Sequence, residues 1–188
     1  MKPTDGNPWR RVSRRIAYEN PWLELRHDDV VRPDGEPGIY GVVHFRHYAV
    51  GVVPLDLATD SVLLVGQWRY TMEKYSWEIP EGGARFDEPA EEAARRELAE
   101  ETGLTGGNWR ELFRSELSNS VTDELAVAFV ATDLVAGTAT PEGTEQLQLR
   151  WVPFDEVIAM IERGEIRDAL TVLPMLRLAL ERSARGRG

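Results

Sequence analysis

The stretch from Gly82 to Leu104, GGARFDEPAEEAARRELAEETGL, constrains this chain more than any other. It sets a glycine turn ahead of a run of strong helix formers. Pro89 suits a first helical turn, because its ring fixes a helical φ and its missing N–H would be unpaired there. Asp87 or Glu88 is placed to cap the free N–H groups, and Glu91 and Glu92 lie near the positive end of the dipole. Gly103 supplies the left-handed residue that ends many helices. A helix is therefore expected from Pro89 to Thr102. Its far end runs against local preference. Glu97, Glu100 and Glu101 crowd the negative end of the dipole, at about 0.3–1 kcal/mol each. Glu97 and Glu101 are also a like-charge i, i+4 pair. At about 100° per residue, Ala90, Ala93, Ala94, Glu97 and Glu101 share one face. The small side chains permit a close approach, and the acidic end of the same face needs counter-charge. A divalent cation with oxygen ligands supplies it; a solvated acidic helix is the plainer alternative. Local inconsistencies of this kind tend to mark functional sites.

The rest of the chain bounds the chemistry. At 188 residues, one domain with a real core is the default. A net charge of −10 argues against general affinity for nucleic acid, and it means that a phosphate substrate needs a metal or local arginines. There is no cysteine, hence neither a disulfide nor a thiol nucleophile. No apolar run approaches the length of a membrane span, and MKPTDGNPWRRV lacks the apolar core of a signal peptide. A cytoplasmic protein with no membrane partner is the simplest reading. The histidines His27, His44 and His47 match no metal box, and no G-x-S-x-G elbow, P-loop or dinucleotide fingerprint occurs.

Along the chain, Arg10–Tyr18 reads as an edge or arm strand whose arginines are either a solvated face or help to hold an anionic substrate. WLELRH (22–27) and GIYGVVHF (38–45), joined by the turn Pro33-Asp34-Gly35, complete a small β meander. AVGVVPL (49–55) and VLLVGQW (62–68) are apolar enough for central strands. YSWEI (75–79) leads through Pro80-Glu81-Gly82-Gly83 into the helix. Strands are expected at 109–116, 125–132 and 147–152, with loops at 118–124 and 136–146 between them. Helices are expected at 154–163 and 168–185, the second burying Leu170, Leu173, Leu176, Leu178 and Leu180. The six tryptophans are expected mostly in the core, with Trp22 or Trp68 as candidates to stack on a nucleobase. Arg69, following the second central strand, has the fork geometry to bind a diphosphate; a surface ion pair is the alternative.

Taken together, Gly82, Glu88, Arg96, Glu97, Leu98, Glu100, Glu101, Gly103 and Leu104 give G-x5-E-x7-R-E-L-x-E-E-x-G-L, which resembles the Nudix hydrolase signature at every defined position. The resemblance implies an α/β fold, the Nudix-type α/β/α sandwich with a mixed sheet. It implies a hydrolase that cleaves a nucleoside diphosphate linked to another moiety, with Mg²⁺ or Mn²⁺. It further implies Glu97, Glu100 and Glu101 as metal ligands, joined by the backbone carbonyl of Glu81, with Glu101 also among the catalytic residues. Glu88 and Arg96 resemble the motif's structural ion pair. Gln67-Trp68-Arg69, the WEIPEGG entry and the N-terminal β extension resemble the ADP-ribose and nucleoside diphosphate sugar pyrophosphatases, so Arg69 is expected to bind substrate, beside Trp22 as the candidate for stacking on a base. By the same resemblance, residues 1–45 form an arm and meander that pairs two copies into a homodimer, and 46–188 form the hydrolase domain. The general base is expected on the loop before the last sheet strand, as Glu142 and then Glu145, with Glu124 next. A nucleoside triphosphate pyrophosphatase and a non-catalytic ligand sensor are the competing readings; the intact glutamates speak against the second.

Overall fold

The computed structural model describes residues 6–140 and 146–185. The strands are β1 (Arg10–Glu19), β2 (Leu23–Val31), β3 (Pro37–Phe45), β4 (His47–Asp56), β5 (Ser61–Arg69), β6 (Lys74–Glu78), β7 (Glu81–Arg85), β8 (Leu104–Glu116), β9 (Leu125–Ala136) and β10 (Gln148–Pro153). The helices are α1 (Ala90–Thr102), α2 (Phe154–Glu162) and α3 (Ala169–Arg185). The chain forms two compact units. One takes the residues up to His47 together with Glu116–Glu124, and the other takes Tyr48–Ser115 and the residues from Leu125 onward.

The first unit is an antiparallel sheet in the order β1-β2-β3. Asp28, buried on β2, accepts two hydrogen bonds of 2.6 Å from Arg14 on β1. Those bonds hold its carboxyl below the usual range against the opposing effect of burial. The outer edge of β3 is covered by the 118–124 loop. Val43 N–H donates to the Val121 carbonyl at 2.9 Å, and the Tyr40 hydroxyl donates to the Ser120 carbonyl at 2.9 Å. The His44 ring and Asp123 lie 2.5 Å apart.

The second unit is built on a mixed sheet in the order β10-β5-β4-β9-β8, with β6 beside β5 and β7 beside β4. β4 runs parallel to β9, from Ala49 opposite Ala126 to Pro54 opposite Ala131, and antiparallel to β5. Strands buried on both faces read as continuous apolar runs, and the run in β4 is the clearest. One face packs Val53, Leu64, Phe154, Val157, Met160 and Met175 under α2 and α3; the other packs Val50, Val52, Val127, Phe129, Ala93 and Leu98 under α1. Helices therefore cover both faces of a mixed sheet, the α/β/α arrangement expected. Among the described residues, no helix is long and apolar enough to cross a membrane.

Several local expectations change. Pro89 is the N-cap of α1 rather than its first residue, and no side chain caps it. Asp87 and Glu88 are instead drawn to Arg85 and Arg96. Gly103 does end the helix, at φ 71°, its N–H returning to the Ala99 carbonyl at 2.9 Å. The segment after Pro80 is not a plain loop but the short strand β7, and β8 and β9 extend beyond their expected ends. In each case pairing to a neighbouring strand overrides weak local propensity. The tryptophans are not core residues: Trp9, Trp22, Trp68 and Trp151 are exposed, and Trp77 and Trp109 are partly buried at the rim of the core clusters.

The buried face of α3 also differs. It consists of Leu170, Thr171, Pro174, Met175 and Leu178, while Leu173, Leu176 and Leu180 are exposed. The spacing of the buried set is the i, i+3/i+4 stripe of a helix lying on a sheet, and the leucines outnumber what that stripe can take. We expect Met175→Ala, at a side chain 0% exposed, to lower unfolding stability by about 2–5 kcal/mol. Leu180→Ala, at a side chain 67% exposed, should change stability by about 0.5 kcal/mol or less in a denaturant titration.

Candidate active site

The site is assembled where β7 passes the acidic end of α1. A Cβ placed on Gly82 would fall on the Glu97 carboxylate, so a larger residue here would displace that side chain from its place beside the strand. Arg96 then gathers the carboxylates. Its Nε donates to Glu88 Oε1 at 3.2 Å, and its Nη1 donates to Glu97 Oε1 at 2.7 Å and to Glu100 Oε2 at 3.1 Å. Its Nη2 reaches the Gly83 carbonyl at 3.1 Å. The Arg96 bonds hold Glu88 below its ordinary pKa, and the guanidinium is raised in turn, chiefly by its bond to Glu88. Glu88 and Arg96 are thus an ion pair. Glu101, 3% exposed, accepts the Glu81 N–H at 3.3 Å. The end of α1 is tied to the loop that follows β9, since Thr140 N–H donates to the Glu100 carbonyl at 2.8 Å.

A second acidic group adjoins the first through Glu81. Arg69 donates from Nε to both oxygens of the buried Glu78 at 3.0 and 2.9 Å, and from Nη2 to Glu78 Oε2 at 2.5 Å. Its Nη2 also pairs with Glu81 Oε1. The carboxylates of Glu78, Glu81 and Asp168 each place an oxygen within 4.8 Å of the other two. Burial, then the negative charges of Asp168 and Glu78, push the Glu81 carboxyl well up against the pull of Arg69. Glu81 Oε2 is buried without a hydrogen-bond partner.

The structure therefore distributes the expected residues unevenly. Glu88, Arg96, Glu97 and Glu100 are brought together, Glu101 meets Glu81, and Arg69 is committed to two carboxylates. Trp22, 66% exposed, belongs to the first unit. Glu142 and Glu145 lie outside the described residues. Glu78 and Asp168 were not anticipated. Glu78 carried a weak signal, since it occupies an inward position of a strand and a buried carboxylate must have a partner. Asp168 carried only that of a helix cap: its Oδ2 accepts the Thr171 N–H at 2.7 Å. A separate cavity of about 340 Å³, lined by Leu55, Trp109, Arg110, Leu178 and Arg182 among others, contains none of these residues.

Chemically, the carboxylates here outnumber the guanidiniums of Arg69 and Arg96, and one carboxylate oxygen is buried unpaired. Oxygen donors with excess negative charge fit a hard divalent cation. Comparison with known proteins agrees. The NUDIX domain description matches residues 45–172, and the nucleoside diphosphate sugar hydrolase N-terminal domain matches residues 9–43. An ADP-ribose pyrophosphatase of Mycobacterium tuberculosis is 31% identical over 170 residues, covering 88% of this chain and 80% of that protein. A GDP-mannose pyrophosphatase of Citrobacter koseri is 30% identical over 171 residues, covering 86% and 84%. A crystal structure titled as an ADP compounds hydrolase superposes with a TM-score of 0.84 at 20% identity, covering 96% of this chain and 97% of that one, a likeness of fold. With the signature helix, the mixed sheet and these matches in agreement, the chain belongs to the Nudix hydrolase family.

Proposed function

We propose that the protein hydrolyses the diphosphate of a nucleoside diphosphate sugar, such as ADP-ribose or GDP-mannose, to a nucleoside monophosphate and a sugar phosphate. The observation that carries this reading is the acidic end of α1 seated against the start of β7, in a chain whose residues 9–43 match the N-terminal domain of nucleoside diphosphate sugar hydrolases. The relatives' names support the substrate class. Glu97, Glu100 and Glu101, with the Glu81 carbonyl, would hold Mg²⁺ or Mn²⁺. When bound, the metal neutralises diphosphate charge and acidifies water.

The chain's own residues do the rest. Arg96 keeps the carboxylates Glu97 and Glu100 gathered and β7 held at Gly83. Arg69, fixed by Glu78, offers a guanidinium to the diphosphate. The water oxygen bonds to one phosphorus, the bridging P–O bond breaks, and the departing phosphate keeps the bridging oxygen. The water's proton passes to a carboxylate outside the metal shell, because metal-bound carboxylates are poor proton acceptors. Glu142 is our first choice and Glu145 the second. Glu142 follows Thr140 by two residues, and Thr140 is tied to the Glu100 carbonyl. Two copies are proposed to pair through the Arg10–Phe45 sheet, on which Val12, Tyr18, Leu25 and Ile39 are exposed. A monomer by light scattering at micromolar concentration, with full activity, would exclude that assembly.

The deciding experiment is turnover on ADP-ribose, GDP-mannose, UDP-glucose and nucleoside triphosphates with Mg²⁺, the products resolved. AMP with ribose 5-phosphate, or GMP with mannose 1-phosphate, is expected; release of inorganic pyrophosphate from triphosphates as the faster reaction would displace this reading. Two variants separate the roles of the glutamates. Glu97→Gln should weaken Mn²⁺ binding and turnover together. Glu142→Gln should lower kcat by about 10²–10⁴ while leaving Mn²⁺ affinity unchanged. Should Glu142→Gln and Glu145→Gln each keep most of kcat, the base lies elsewhere.

A further inference from the structure

The segment from Glu78 to Glu81 is anchored at four consecutive residues by different parts of the second unit. Glu78 is gripped by Arg69 of β5, Pro80 accepts the Val52 N–H of β4 at 3.0 Å, and Glu81 donates to Glu101 of α1 at 3.3 Å. The fourth anchor comes from α3, remote in sequence from the signature helix. Ile79 N–H donates to Thr171 Oγ1 at 2.9 Å, in a wholly buried setting.

The support behind Thr171 is stiff. Asp168 caps the first turn of α3, its Oδ2 accepting the Thr171 N–H at 2.7 Å and its carbonyl the Val172 N–H at 2.9 Å. That turn is also pressed onto β4, since a Cβ on Gly51 would lie 2.9 Å from Leu170 Cγ and 3.0 Å from Ile79 Cδ1. The Thr171 hydroxyl therefore meets the Ile79 amide from a fixed direction. A buried N–H deprived of its acceptor turns toward another, and turning the 78–79 peptide shifts the path of Pro80 and Glu81 beyond it.

We propose that Thr171 is a positioning residue for the metal shell: by fixing the Ile79 amide it sets the place of the Glu81 carbonyl against Glu97 and Glu101. The proposal rests on the reading above, in which that carbonyl and those carboxylates hold the cation. The test is Mn²⁺ binding to the full chain by electron paramagnetic resonance, without substrate, for wild type, Thr171→Val, Thr171→Ser and Glu97→Gln, with thermal melts of the metal-free proteins alongside. Thr171→Val keeps shape and removes the acceptor; it should bind Mn²⁺ about tenfold more weakly or worse, the range seen for supporting partners of metal ligands. Thr171→Ser restores the acceptor and should return near wild-type affinity even where its melting temperature stays low. A merely structural residue would lower the melting temperature of Thr171→Val and leave its affinity alone, and that result overturns the proposal. If Thr171→Val does not fold, Thr171→Ala and Thr171→Ser differ only by the hydroxyl, and equal affinities overturn it as well. Weak binding by Glu97→Gln beside unchanged binding by Thr171→Val removes this inference and leaves the metal shell standing. Wild-type affinity in Glu97→Gln removes the shell itself, and the inference with it.

Discussion

An acidic helix end can be pressed against a neighbouring strand only if part of its charge is offset, and here the guanidinium of Arg96 supplies that offset. One side chain joins Glu88 before the helix, Glu97 and Glu100 on it, and the Gly83 carbonyl across from it. The planar fork makes this possible, because its N–H groups point in several fixed directions at once, where a lysine would offer a single compact charge. The unfavourable dipole interaction at the end of α1 is thereby offset locally. Gly82 is the steric counterpart of the same arrangement, since a side chain there would occupy the space of the Glu97 carboxylate.

Arg69 follows the same rule with a different emphasis. Its partner Glu78 is buried, and Glu81 and Asp168 lie close by, so this group carries more negative charge than one guanidinium can balance. Burial drives the Glu81 carboxyl well up, whereas the bond from Arg96 holds Glu88 below its ordinary range. The two arginines thus hold two carboxylate groups of unlike character, linked by the bond from the Glu81 amide to Glu101.

What the sequence disclosed was whatever depends on neighbours along the chain. The limits of α1, the glycine stop at Gly103 and the alanine face toward the sheet follow from propensity, conformational freedom and helical phase. The apolar runs of β4 and β5 announced the central strands. What it concealed depends on contacts across the fold. β7 carries two glycines and becomes a strand only because β4 is there to pair with it. Asp168 gives no hint that it will lie beside Glu78. In α3 the surplus of leucines hid the buried face, which takes a threonine and a proline while leaving three leucines outside. The buried threonine is not a lapse in that pattern, because its hydroxyl accepts the Ile79 amide.

The first unit is not contiguous in the chain. The outer edge of β3 is completed by Val121 and Asp123, which follow β3 only after β4 to β8 have been made. During synthesis from the N-terminus, that edge stands open while a large part of the second unit emerges, and an open edge is a template for pairing with other chains. Between them, the Asp123 contact with His44 and the Val121 bond to Val43 act as a late clasp. An excised fragment ending at His47 would retain β1, β2 and β3 and lack that clasp. In the growing chain, the span between β3 and the 118–124 loop sets how long the edge must wait to be covered.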